Sequence, residues 1–151
     1  MVAWERIRGP RYYRPEQAAA AERALAAATT ELRAGRAVAE LRYAVSNDHA
    51  GTLYPAAVPA VDILLRVILR RTGEPRALAL DALLDWWGSF RPEPEFDSHD
   101  DPSAGSVEVT AAIMDRVRAA APELRNVATG DHRRPVGQLL SRLAQGWTVE
   151  P

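Results

Sequence analysis

Residues Tyr54 to Arg71 read YPAAVPAVDILLRVILRR. Apolar side chains at Val58, Val61, Ile63, Leu64, Leu65, Val67, Ile68 and Leu69 leave one polar line, Asp62, Arg66 and Arg70. Residues four apart share a helical face, so the stretch reads as a helix buried everywhere except along that line. Asp62 ahead of Arg66 is also the favourable order for an i,i+4 ion pair. The start, at Pro55 or Pro59, is open, because either proline is tolerated only in a first turn. A helix this apolar needs neighbours on several sides, and the rest of the chain must supply them.

Upstream, Pro15 opens a helix whose inner face is Ala18, Ala21, Leu25, Ala28 and Leu32, with Gly35 as its stop. A second helix follows from Arg36 to Ser46 on Val38, Leu41 and Val45. The connector NDHAGTL, residues 47–53, is rich in turn formers. Downstream, Gly73 ends the organising helix and Pro75 opens the next, with Leu80, Leu83, Leu84 and Trp87 inward. Trp86 falls about 100° away from Trp87, towards the outer edge. Ser106 is a candidate N-cap for a fifth helix on Val109, Ile113 and Val117. Pro122 opens a short helical turn ended by Gly130. Asp131 caps a last helix on Val136, Leu139, Leu140 and Leu143, with Trp147 just past its Gly146 stop.

The expected fold class is therefore all-α, with six or seven helices and no strand. Short connections make sequence neighbours antiparallel. Three hairpins in succession describe a short α-solenoid, and a closed helical bundle is the alternative. Residues 1–14 form a basic N-terminal arm, Arg6, Arg8, Arg11 and Arg14 against Glu5, and residues 15–151 a single domain. Trp4, Ile7, Tyr12 and Tyr13 favour docking of that arm on the body. Residues 91–105, RPEPEFDSHDDPSAG, lack periodicity and form a long acidic loop.

Composition bounds the chemistry. The 151 residues suit one domain with a real core. There is no cysteine, which removes disulfides, thiol nucleophiles and thiolate metal ligands. All nineteen basic residues are arginine, so lysine Schiff-base chemistry and a P-loop lysine are excluded. The formal net charge of -1 argues against a general nucleic-acid binder. The densest apolar run is interrupted by Asp62, Arg66 and Arg70, which argues against a membrane span. The first fourteen residues have no apolar signal-peptide core, and a cytoplasmic location is the expectation.

Residues 41–69, LRYAVSNDHAGTLYPAAVPAVDILLRVIL, resemble the HEAT-like helical repeat proteins of actinobacterial type. The resemblance rests on Gly51, Thr52, Tyr54, Pro55, Ala56, Ala57 and Pro59, a polar turn followed by a proline-containing apolar helix. The segment PRALALDALLDWWG is similar, more loosely, to the second helix of such a pair. What the resemblance implies is a protein-binding scaffold, in some similar small proteins an immunity protein against a bacterial toxin.

Three groups of residues are candidate sites. Asp48, His49 and Tyr54 could form a small acid–base pocket, or could cap and pack the flanking helices. Asp97, His99, Asp100 and Asp101 offer divalent-metal ligands, but their spacing fits no metal loop, and no metal or other cofactor is expected. Glu93, Glu95, Asp97, Asp100 and Asp101 place five negative charges within nine residues, a patch that would steer a basic partner. Trp86 is a further candidate contact, as interface hot spots favour tryptophan. The leading expectation is a non-catalytic protein–protein interaction module, of immunity or antitoxin type, binding a basic protein through Asp48, His49, Tyr54, Trp86 and the loop acids. A small enzyme or biosynthetic accessory protein built on Asp48, His49 and Tyr54 is one alternative. A nucleic-acid-binding repeat using the arm and the 66–71 arginines is the other.

Overall fold

The computed structural model describes residues 1–149. It is mostly helical, with six α-helices and a few short strands. The organising stretch is α3, Ala57–Arg70, with Pro59 inside its first turn. Ala57, Val58, Ala60, Val61, Ile63, Leu64, Leu65, Val67 and Ile68 are all buried, whereas Asp62, Arg66 and Arg70 are exposed. Each fully buried Leu, Ile or Val contributes about 1.5–3 kcal/mol relative to exposure, so α3 supplies a large share of the core.

Two helices, α1, Pro15–Ala27, and α2, Glu31–Val45, precede it, and α4, Glu74–Trp86, follows. The chain closes with α5, Val109–Asn126, and α6, Arg133–Gln145. The helices pair in sequence order, α1 on α2, α3 on α4 and α5 on α6. Across pairs, α4 packs against both α2 and α6, and α3 packs against α5. Arg71, in the α3–α4 turn, donates to the carbonyls of Leu25 at 2.7 Å and Ala28 at 3.2 Å. A cation there satisfies the open carbonyls at the end of α1 and complements its dipole.

Several boundaries differ from the sequence reading. The first helix stops at Ala27, not Gly35, because Thr30 accepts from the Arg33 N–H at 3.2 Å and caps a new helix. Gly35 lies buried inside α2, where a Cβ would sit 3.1 Å from Leu78 Cδ1. Its role is close approach of α2 to α4, not termination. Gly73, at φ 68, precedes α4 as its N-cap. Pro122 lies within α5, which continues to Asn126 because Ala121 and Leu124 are held in the core. Ser106 does not cap α5 but belongs to a strand.

The expectation of no strand is corrected as well. Strands β1, Ser46–Asn47, β2, Thr52–Leu53, and β3, Arg91–Pro92, form one small sheet, with β1–β2 antiparallel and β2–β3 parallel. Strands β4, Ser98–Asp101, and β5, Gly105–Glu108, form a hairpin. Runs of two to four residues are too short to show a period-2 pattern in sequence.

The N-terminal arm is packed on the body. Trp4 is fully buried, and its indole N–H donates to Glu22 of α1 at 3.0 Å. Tyr13 donates its hydroxyl proton to the Trp4 carbonyl at 2.8 Å. At the opposite end, Trp87 stacks on Trp147 with centroids 4.9 Å apart. The Trp87 indole donates to the Gly146 carbonyl at 3.0 Å, and that of Trp147 to the Phe90 carbonyl at 2.8 Å.

Candidate functional site

The acidic segment expected as a loop is built into the fold. Arg91 N–H donates to the Gly51 carbonyl at 3.1 Å and Glu93 N–H to that of Leu53 at 2.9 Å, continuing β3 along β2. Phe96 N–H then donates to the Glu93 carbonyl at 2.9 Å and closes a turn with Pro94 and Glu95 at its centre. Glu95 has φ 71, the only non-glycine positive φ among the described residues. Proline followed by a left-handed residue is the type II pattern, whose third position favours glycine. An L side chain there costs about 1–2 kcal/mol.

The hairpin follows. Ser98 pairs with Glu108, His99 with Val107, Asp100 with Ser106 and Asp101 with Gly105. Asp101 Oδ1 accepts from Ser103 N–H at 2.8 Å, Ser103 Oγ at 2.7 Å and Ala104 N–H at 3.2 Å, which folds the tip. The Ser103 bonds hold the Asp101 carboxyl below its usual range. Arg116 of α5 lies 3.9 Å from Asp101 and 3.1 Å from Asp62, tying the hairpin to α5 and α3.

The five acids therefore do not act as one patch. Glu95, Asp97 and Asp100 are exposed, and among the described residues they make no ion pair within 4 Å. Asp101 is half-buried at the hairpin tip. Glu93 is buried, at 9 % exposure, which corrects the expectation of a partner contact there. One of its oxygens accepts from Tyr12 at 3.0 Å and the other from the Thr52 hydroxyl. Glu93 is thus the node where the arm, the connector and the acidic segment are joined.

Asp48, His49 and Tyr54 are not brought together. Tyr54 is buried, its ring 6.2 Å from that of Tyr12 and 6.0 Å from that of Tyr13. Burial, then the neighbouring Glu93 charge, pushes its hydroxyl up to about 12. Asp48 and His49 are exposed on the turn, with Asp48 at 3.6 Å from Arg42, which also holds Asp85 at 2.9 Å. The acid–base pocket on these three residues is therefore corrected. Trp86 is fully buried and offers no contact surface; it closes the core as Trp87 does.

A cavity of about 100 Å³ sits where the arm meets the hairpin, lined by Arg6, Arg8, Pro55, Glu95, Phe96 and His99 among others. Arg8 lies over the Phe96 ring at 5.9 Å. Burial and the Arg116 charge push the His99 imidazole below its ordinary value, opposed by Asp101, Asp100 and Asp62. Alternation along β4 leaves Ser98 and Asp100 exposed and His99 and Asp101 half-buried. Among the described residues no three His, Asp or Glu side chains converge as metal ligands.

No protein-family model, no curated protein and no solved structure matches the chain. Among the described residues no helix is long and apolar enough to cross a membrane.

The sequence reading missed Tyr12 and Arg116 as site-building residues and placed Thr52 only in the polar connector with Asn47, Asp48, His49 and Tyr54. Arg116 carried no local signal, because its carboxylate partners are 54 and 15 positions away by residue number. Thr52 and Tyr12 were visible only as turn and arm residues; the shared partner Glu93 is a tertiary fact.

Proposed function

We propose that the chain is a non-catalytic interaction protein that holds a basic partner on the exposed carboxylates Glu95, Asp97 and Asp100. The observation that carries this reading is Glu95. It occupies a backbone position that glycine would take without strain, and its exposed carboxylate makes no ion pair within 4 Å among the described residues. Strain kept at an exposed charged residue supports a functional role for the charge. A rigid hairpin beside it adds Asp97 and Asp100 without further ordering on binding, which favours affinity.

The finer architecture belongs to the same proposal: three helical hairpins stacked as a short HEAT-like α-solenoid, with α1, α3 and α5 in one layer and α2, α4 and α6 in the other. The packing of α4 between α2 and α6, and of α3 on α5, supports it. A closed bundle needs the last pair to pack back on the first, and the principal helix contacts include no such pair. An immunity or antitoxin protein acting in the cytoplasm on a basic, nucleic-acid-degrading toxin is the most concrete version. The exposed charge and the strained turn support the basic character of the partner.

The test is capture of partners from the native host by the tagged chain, in parallel with the variant Glu95→Gln, Asp97→Asn, Asp100→Asn. The expected result is a basic protein retained by the natural chain and lost from the variant at the same salt. A specific partner retained equally by both would sink the proposal.

A further inference from the structure

A second concave surface lies between α1 and α3, and no residue of the acidic hairpin lines it. This groove, about 750 Å³, has a floor of Leu25, Ile63 and Val67 and a rim that includes Arg66 and Arg70.

The charges around it are unequal in what they already do. Glu22 accepts from the Val2 N–H at 3.2 Å and from the Trp4 indole at 3.0 Å, so its carboxylate is engaged in holding the arm. Arg71 is engaged at the end of α1. Arg66 and Arg70 are exposed, and among the described residues neither has a carboxylate within 4 Å. Asp62, the local partner that Arg66 would have had, is drawn to Arg116. An apolar floor with two unpaired guanidinium groups one helical turn apart on its rim is the result.

We propose that this groove binds an acidic amphipathic helix of a partner protein. Its apolar face would lie on Leu25, Ile63 and Val67, and two carboxylates one turn apart would meet Arg66 and Arg70. An apolar floor with a polar rim is the anatomy of an interface. Helices read by apolar anchors at i, i+3 and i+4 are the usual occupants of an open groove between helices. Arginine pairs with carboxylates in a bidentate way, and the one-turn spacing of the two arginines matches carboxylates at i and i+4. This inference does not depend on the acidic hairpin: no hairpin residue lines the groove, and the partner segment carries the opposite charge.

The test uses the full chain and a synthetic peptide of about 18 residues, long enough to form helix, with leucine on one face and glutamate on the other. A second peptide carries arginine in place of every glutamate. Binding is read from the amide signals of the labelled protein. The glutamate peptide should shift the amides of Val2, Ile63, Arg66, Val67 and Arg70, which line the groove, and the arginine peptide should not. Arg66→Glu and Arg70→Glu should each weaken the glutamate peptide about tenfold or more. Ala26→Trp, on the exposed groove wall of α1, should block it without a change of charge. All three positions are exposed, so thermal melts should stay at the natural value and separate lost binding from lost folding. The hairpin variant Glu95→Gln, Asp97→Asn, Asp100→Asn should bind the peptide normally. Equal binding of both peptides, unchanged affinity in the Arg66 and Arg70 variants, or no shift at the groove with millimolar glutamate peptide would each overturn the proposal.

Discussion

Arg116 Nε donates to Asp62 Oδ2 at 3.1 Å, joining α5 to α3, and the same guanidinium reaches Asp101 at the hairpin tip. The aspartate that the sequence pairs with Arg66 on its own helix is thus taken by a residue far along the chain. One consequence is a hairpin fixed to the helical body. The other is an Arg66 with no carboxylate within 4 Å among the described residues.

Replacing Arg116 with alanine should loosen the hairpin more than it lowers global stability. Both carboxylates are solvated, so solvent screening keeps the contribution of these ion pairs to global stability small. Hydrogen exchange of residues 98–108 should accelerate clearly while the urea midpoint moves little. An unchanged exchange pattern would mean that the backbone pairing of β4 with β5 holds the hairpin alone.

Glu93 should behave as a structural acid. Glu93→Ala leaves the Thr52 hydroxyl, in a buried residue, without its acceptor and frees Tyr12. A loss of about 2–3 kcal/mol is expected in chemical denaturation. Glu93→Gln keeps a polar group for both hydroxyls and should lose about 1 kcal/mol. Equal, negligible effects of both substitutions would contradict the assignment.

Tyr54 gives an alkaline signature. Its hydroxyl is pushed from 10.0 to about 12 by burial and by Glu93. The unfolded chain releases this proton first, so the stabilisation is complete below pH 10 and is lost as pH rises towards about 12. Tyr54→Phe should flatten that decline in a stability–pH series and change little at pH 7, where both states hold the proton.

Glu95→Gly should separate stability from function. Glycine removes the positive-φ strain, and a gain of about 1 kcal/mol is expected. The same change removes an exposed carboxylate and should weaken the partner. Variants that gain stability at a cost in function are what a strained working position predicts.

Much of the helical fold was legible because its signals are local and redundant. The α3 stretch carries apolar residues on nearly every side, and its polar line at Asp62, Arg66 and Arg70 is the line the structure leaves exposed. Boundaries were less legible. The alanine pattern runs without a break from Pro15 past Thr30, and a single capping hydroxyl decides where α2 begins. Pro122 looked like a start because its missing N–H is costly in a helix interior, yet packing of Ala121 and Leu124 carries α5 through it. The site was legible in composition and not in geometry. Five acids stood together in sequence, but a parallel pairing of β3 with β2 buries Glu93 and leaves Glu95, Asp97 and Asp100 outside. Adjacent tryptophans gave no means of telling that both are core, since Trp86 closes α4 and Trp87 turns into the stack with Trp147.

Glu95, Asp97 and Asp100 are the residues proposed to hold a basic partner. The most direct test is the salt dependence of affinity for the captured partner, compared between the natural chain and the variant Glu95→Gln, Asp97→Asn, Asp100→Asn. Exposed charge pairs are screened by salt, so affinity of the natural chain should fall steeply with ionic strength. The variant should bind more weakly at low salt and show a much flatter dependence. Matching slopes and matching affinities for the two proteins would mean that these carboxylates do not hold the partner.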